Sequence, residues 1–489
     1  MRSSDLKLAI VAVGVLLLNL TPDPRAFTAA IRQAEACRAG QEYGAAIEGY
    51  SQAAGLAPGA PLPWQRLGEV LAQQHRFAEA RDAFRAAERL CHSDCRTVRR
   101  TIPAVGIVPQ RSEESRCRAE ALLALGDAFA GEGDWAAALS TWYGVLPLAP
   151  RDARLYLSLG RGLVAQGQFE PAAYYLRRAL DLEPRADVAA GAHALLGRLL
   201  AGDDPAEAAG HLSQAGDSDM LAVLRAVGAE PEPAGQALLL GIAFLQRDEL
   251  TLARRQLERA VALAPANAQA YAYQGHVLDR LGDTEAAQAA LQQALALDPD
   301  LVMAYYFLGI HHRELGDVEE AQAILWQGLV LDPENAALRV QMAEAYLGLG
   351  DYEGADEWYQ GAVEVAPEDQ RFDFYLILAH FYLDHLYHVV EGGLPAAGAA
   401  VALAPGDARA QDLLGWAYHL AGRHAEAEQA LVKAVGLAPN LVSAHYHLGS
   451  LYASTGRPDL ARWHLQRAAD LDTGGYYRER AEALLRDLK

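Results

Sequence analysis

The sequence predicts an all-α fold, a solenoid of antiparallel helix pairs, on three observations. Prolines recur at a fixed interval: Pro265, Pro299, Pro333 and Pro367 lie 34 residues apart, as do Pro150 and Pro184, and Pro405 and Pro439. Between them, apolar residues fall at i, i+3, i+4 and i+7 in two helical runs joined by a short Gly-Asp or Gly-Gln turn, and the proline closes each unit because it cannot continue a helix. The abundance of Ala, Leu and Gly, with only 8% aromatic residues, favours closely packed helices over a β-rich fold.

The units superimpose residue by residue. One carries Tyr273-Gln-Gly275, Leu281-Gly-Asp283, Ala287, Leu291, Ala294 and Pro299; the next reads Leu308-Gly309, Leu315-Gly-Asp317, Ala321, Leu325, Gly328 and Pro333. Small residues such as Gly275, Ala287 and Ala294 let two helices approach where larger side chains would force them apart. Proline also opens second helices at Pro171, Pro205 and Pro458, where its missing N–H costs nothing. This pattern resembles the tetratricopeptide repeat, and Trp64, Leu67, Gly68, Ala80, Phe84 and Ala87 follow it closely in an early unit. The resemblance implies a right-handed superhelix, since no single unit buries both its faces and units must stack.

Read unit by unit, the array starts near Pro24. Two units occupy 25–92, an insertion bearing cysteine and arginine 93–118, two further units and a worn one 119–233, a C-terminal block 234–475 and a capping helix 476–489. The worn unit, 187–233, ends in Glu230-Pro-Glu-Pro233 and reads as a joint between two blocks of repeats.

Residues 1–24 read as a signal anchor or signal peptide. The apolar run Leu8 to Leu20 covers roughly 20 Å as a helix, short of a ~30 Å hydrocarbon core. That is the length of a signal-peptide hydrophobic region. No A-x-A cleavage signal follows in Thr21-Pro-Asp-Pro-Arg25, so an uncleaved anchor is the first expectation and secretion after cleavage the alternative. Arg2 and Lys7 would stay on the cytoplasmic side, sending the repeats across the membrane. An ordinary buried first helix is the remaining reading.

Three of the chain's four cysteines lie in the insertion or at its edge, Cys91, Cys95 and Cys117. In an exported protein a disulfide from Cys91 or Cys95 to Cys117 is the natural expectation. Zinc would want a second C-x2-C or a His pair, which is absent. Arg96, Arg99, Arg100, Arg111, Arg116 and Arg118 make the insertion locally basic, as a docking loop or a solvated hairpin.

Elsewhere the chain is acidic. A formal charge of −21 and a pI near 5.1 argue against a nucleic-acid partner, which needs a basic stripe. The sequence lacks H-E-x-x-H, G-x-S-x-G, a Walker loop and a dinucleotide fingerprint, so neither catalysis nor a cofactor is expected.

What remains is binding. The family resemblance implies that first helices line a concave face, with contacts flanking the small packing residue. Those positions are Tyr273, His276 and Arg280, then Tyr306, Ile310 and Arg313, then Gln341 and Glu344. They continue with His380 and Asp384, then Asp412, Trp416 and His419, then Tyr446, His447 and Ser450. The N-terminal block offers Gln65, Glu69, Asp127, Arg154 and Arg161. The Lys/Asn set with which some family members clamp a terminal carboxylate is not reproduced. Aromatic groove residues with polar tips suit an extended peptide or a helix from a partner protein. The expected function is a membrane-tethered or exported adaptor that supports assembly of a protein complex. A permanent structural or self-associating subunit, or a minor metal or redox role, are the alternatives.

One stretch departs from the rule. Ala379-His-Phe-Tyr-Leu-Asp-His-Leu-Tyr-His-Val-Val390 sits in a unit of 38 residues from Pro367 to Pro405. Four extra residues are about one helical turn, so a lengthened groove helix is expected, with His385, Tyr387 and His388 on the added turn. His380, Asp384 and His388 would then share a face, the outer pair roughly 12 Å apart and too distant to ligate one ion.

Overall fold

The structure is a computed structural model that describes residues 24–101, 111–472 and 475–488. The described residues form 26 α-helices and no strand. They belong to two compact units divided between Pro150 and Arg151. The hydrophobic run 8–20 lies outside the described residues, as does the loop 102–110. The side chains of Cys95, Arg96, Arg99, Arg100 and Arg111 also lie outside them. Among the described residues no helix is long and apolar enough to cross a membrane.

The first unit holds α1 (Pro24–Ala39), α2 (Tyr43–Leu56), α3 (Pro61–Gln73), α4 (Phe77–Thr101), α5 (Arg111–Gly131) and α6 (Trp135–Val145). They pack as antiparallel pairs around Tyr50, Leu67, Val70, Phe84 and Leu125. The insertion is largely helical here, for α4 runs 25 residues. A disulfide joins Cys91 to Cys117, tying α4 to α5 with their Cα atoms 5.9 Å apart.

The second unit begins with α7 (Ala153–Ala165), α8 (Phe169–Asp181), α9 (Ala186–Leu200), α10 (Pro205–Ala215) and α11 (Ser218–Gly228). Regular pairs follow: α12 (Pro233–Gln246) with α13 (Leu250–Leu263), α14 (Ala268–Arg280) with α15 (Thr284–Leu297), and α16 (Val302–Leu315) with α17 (Val318–Leu331). Next come α18 (Ala336–Gly348) with α19 (Tyr352–Val365), and α20 (Arg371–Asp384) with α21 (Leu394–Leu403). The last are α22 (Ala408–Leu420) with α23 (His424–Leu437), α24 (Val442–Ser454) with α25 (Pro458–Leu471), and α26 (Tyr476–Asp487), which covers the end.

The repeated letters have local causes. Asn267 and Asn335 open first helices by accepting hydrogen bonds, each at 3.0 Å, from the backbone N–H of Ala270 and Leu338. In Leu281-Gly-Asp283, Gly282 takes φ +83°, and the Asp283 N–H returns to the Leu278 carbonyl at 2.9 Å, closing α14. Within a pair, a Cβ on Gly275 would stand 2.6 Å from Leu291 Cγ and 3.0 Å from the Ala287 carbonyl oxygen. Only hydrogen fits there, which fixes how closely α14 and α15 approach.

The worn unit holds three helices, α9, α10 and α11. Beyond it, α13 turns back onto α7, α8 and α9. The Thr251 hydroxyl donates to the Ala165 carbonyl at 3.4 Å, and Arg255 donates to the Leu199 carbonyl at 3.3 Å while lying 4.5 Å over the Phe169 ring.

The 38-residue unit corrects one expectation. Helix α20 has 14 residues, as α16 does, and stops at Asp384. The extra residues form a turn in which Leu386 (φ +52°) and His388 (φ +43°) are left-handed, followed by a single π-helical turn, Val389–Gly393. His388 is therefore off the helix, and the shared face of His380, Asp384 and His388 does not form. A helix extension would have carried Tyr387 outward, whereas its backbone N–H instead bonds back to the Tyr382 carbonyl at 2.9 Å.

Candidate functional site

Curvature in the second unit follows from which helices touch. Among the described residues, the first helices α12, α14, α16 and α18 approach one another in sequence, as do α20, α22, α24 and α26. Neighbouring second helices show no such approach. First helices therefore line the inner side of each stretch. Between α18 and α20 the close backbone approach is lost. There Tyr359, Phe372, Phe374, Tyr375 and Phe381 fill the core, and larger side chains hold helix axes further apart.

The first stretch brings together seven of the expected contact residues. The His276 ring lies flat on Phe307, centroids 4.4 Å and planes 5° apart, with Tyr273 and Tyr306 each 5.5 Å from the same ring. Burial, with Arg280 adding repulsion, pushes His276 down to about 4, so it is a neutral aromatic plate at neutral pH. Burial raises the Tyr306 hydroxyl, against the lowering effects of the Arg313 charge and a hydrogen bond from Gln341. Glu344 accepts a 2.5 Å hydrogen bond from Tyr359, whose hydroxyl is driven far up by burial and by that carboxylate. Arg313 Nε and Gln341 Oε1 are buried without a hydrogen-bond partner in the protein. They leave a donor and an acceptor on this wall. Behind them His311 Nδ1 meets Asp279 Oδ1 at 2.7 Å, a buried pair that sequence reasoning missed.

The second stretch gathers Trp416, His419, Tyr446 and His447. His447 is buried, with Nδ1 2.8 Å from buried Asp412 Oδ1. These two residues, expected to face a partner, instead form an internal pair that backs the Trp416 indole. His419 is pushed down to about 4 by burial, then by His424 and His447. Tyr446 stands between Trp416, at 6.4 Å, and Tyr477, at 5.3 Å. Tyr477 comes from the capping helix and was not expected; it occupies the first-helix position of one further unit. Burial pushes its hydroxyl far up, with the Asp412 and Asp384 carboxylates adding to that. His380 and Asp384 are exposed and face each other at 3.4 Å, outside the Trp416 cluster.

The N-terminal candidates are engaged in ion pairs where the structure places them on arginines. Glu69 takes Arg38 at 2.7 Å and Arg66 at 2.9 Å, and Arg154 pairs with Asp152 at 2.6 Å. Gln65 is half-buried, while Asp127 and Arg161 are exposed. Among the described residues no group of three His, Cys, Asp or Glu side chains stands in position to hold a metal ion.

Family models described as tetratricopeptide repeat match residues 238–284, 273–336, 336–369 and 408–441. No curated protein matches the chain. Among solved structures, yeast Tom70 is similar at 17% identity and TM-score 0.42, covering 95% of this chain and 96% of that one. A tetratricopeptide repeat protein from Parabacteroides merdae is similar at 18% identity and TM-score 0.39, covering 52% of this chain and 97% of that one. MamA from Desulfovibrio magneticus is similar at 27% identity and TM-score 0.30, covering 35% of this chain and 94% of that one. With its helix pairs, 34-residue period and the family-model matches, the chain carries tetratricopeptide repeats over residues 238–369 and 408–441.

Proposed function

We propose that the protein is a non-enzymatic scaffold that holds a segment of a partner protein along its first helices. The supporting observation is the Trp416–Tyr446–Tyr477 row, three aromatic side chains from three successive first-helix positions. Such residues supply large contact area at low entropic cost, with polar tips for orientation. The Cys91–Cys117 disulfide and the apolar run 8–20 support a further reading, in which the repeats sit outside the cytoplasm, tethered through that run, and assist assembly of an envelope complex. The test is photo-crosslinking in the native host from position 416, with exposed position 429 on a second helix as control. Crosslinks from 416 alone are expected; equal crosslinking from both positions refutes groove binding.

A second reading, a permanent self-associating subunit, has one observation in its favour. Trp326 and Val330 are 56% and 65% exposed on α17, and Trp326 meets Trp358 edge-on at 6.2 Å. It predicts a stable oligomer by size-exclusion chromatography that Trp326→Ser dissolves.

A further inference from the structure

The turn His385 to Val390 carries features that a repeat connection does not need. The preceding unit turns between its helices on Leu349-Gly350-Asp351 and the following one on Ala421-Gly422-Arg423, glycine taking the left-handed residue in both; here Leu386 and His388 take it. Single non-glycine residues take that conformation in other turns, at Gln41, His75 and Asp248, but here two do so within three positions, one of them a leucine. The Tyr387 ring is stacked between Tyr352, at 5.8 Å, and Tyr382, at 6.4 Å, and the N–H groups of Gly392 and Gly393 bond to the His388 carbonyl at 2.7 and 3.1 Å. Gly392 is required, because a Cβ there would stand 2.5 Å from the Tyr382 ring.

The result of this construction is apolar exposure. Leu386 is 66% and Val390 52% exposed, on a turn whose neighbour Tyr352 is also exposed. Carboxylates lie beside it. The Tyr387 hydroxyl is raised by desolvation and then by Asp356, Glu353 and Asp351, and Glu391 directly follows Val390.

We propose that this turn is a second docking surface, independent of the groove, that takes an apolar and basic segment of a partner protein. Aliphatic side chains of that segment cover Leu386 and Val390, and its Lys or Arg side chains meet the carboxylate rim. The charge selects the occupant: the same carboxylates repel an anionic lipid surface, and the net charge of −21 draws basic partners.

The test uses the full chain and a labelled Leu/Lys peptide, with a Leu/Glu peptide of the same pattern, followed by fluorescence anisotropy. The Leu/Lys peptide is expected to bind and the Leu/Glu peptide not. Leu386→Asn with Val390→Ser weakens binding about tenfold, the scale for uncovering two aliphatic side chains. Glu353→Gln with Glu391→Gln weakens it too and flattens its salt dependence. Asn tolerates the left-handed conformation, and unchanged circular dichroism establishes that the variant folds. Tyr446→Ala, on the groove wall, leaves peptide binding unchanged, which separates this surface from the groove reading. The proposal is overturned if the wild-type chain binds neither peptide or both equally. It is also overturned if Leu386→Asn with Val390→Ser binds like wild type, or if the loss follows Tyr446→Ala. Leu386-dependent sedimentation with phosphatidylglycerol vesicles overturns it in favour of a membrane contact.

Discussion

The imidazole of His447 lies on the indole of Trp416, ring centroids 4.3 Å and planes 15° apart, while its Nδ1 is held 2.8 Å from Asp412. The exposed face of one residue thus depends on a buried pair beneath it.

That relationship separates stability from binding. Asp412→Ala leaves a buried imidazole nitrogen unpaired and should cost about 1–3 kcal/mol in urea denaturation. Trp416→Ala keeps the pair, so its larger effect should fall on partner affinity. Equal losses of stability in the two variants would show that Trp416 is core.

Acid should weaken the fold in two windows. His464 meets His445 Nδ1 to Nδ1 at 3.0 Å, and His445 Nε2 lies 3.0 Å from the Pro439 carbonyl, so His445 carries its proton on Nε2 and accepts from His464. Burial, with His445 adding, pushes His464 down to about 4. Burial also lowers His445, a shift that the Pro439 carbonyl and Asp412 oppose and Arg467 reinforces. A histidine with a depressed folded pKa binds more protons when unfolded. Its contribution is therefore intact above about 6.5 and is lost as pH falls toward 4, on the order of 3 kcal/mol for a shift of this size. Asp407 and Glu428, held low chiefly by hydrogen bonds from Arg409 and Arg457, act below that window. Their contribution is present above the ordinary carboxylate pKa and lost as pH drops through the depressed one. Thermal melts should show the midpoint falling from about pH 6.5 downward, with the first slope reduced in His464→Gln. A flat midpoint between neutrality and pH 5 would remove the histidine account.

Two glycine substitutions of the same chemistry should move stability in opposite directions. A Cβ on Gly415 meets Leu431 Cγ at 2.6 Å and the Leu431 backbone nitrogen at 3.1 Å, so Gly415→Ala forces the pair apart and costs about 1–3 kcal/mol. Gly398, within α21, has nothing within 4 Å of its Cβ position, and Gly398→Ala should stabilise by about 0.5–1 kcal/mol. Calorimetry of the two variants side by side decides it.

Reducing the disulfide should loosen only the first unit. Cys91 and Cys117 are 26 residues apart, and closing a loop of that length is worth about 3 kcal/mol in the chain-entropy picture. Cys91→Ser should lower the melting transition of the first unit and leave hydrogen exchange in α14 to α26 unchanged.

The fold was legible because a 34-residue period and the Leu-Gly-Asp turns are each set by contacts within one unit. Trp416 and Tyr446 stand on first helices, where a reading of single units places them. His447 was not legible, for its partner Asp412 is 35 residues away, and only packing of α22 on α24 decides that it points inward. The turn at Leu386 was misread because an insertion of four residues matches a helical turn in length, and nothing local announces that Tyr387 will be stacked between Tyr352 and Tyr382. Tyr477 was missed because residues 476–489 were read as a cap and not as the first helix of a further unit.

The lost approach between α18 and α20 gives the inner wall of the second unit a compliant seam. Elsewhere along the wall, flexing must compress side chains that are already in contact, and close-packed interiors resist that. Across the seam the α18 and α20 backbones stand further apart and are joined through Tyr359, whose hydroxyl donates to Glu344 and whose ring lies 4.9 Å from Phe381. A load along these repeats is expected to bend them at the seam first. A ligand that touches both Tyr306 and Trp416 would brace that flexure, so its occupancy would be readable as mechanical stiffness as well as affinity.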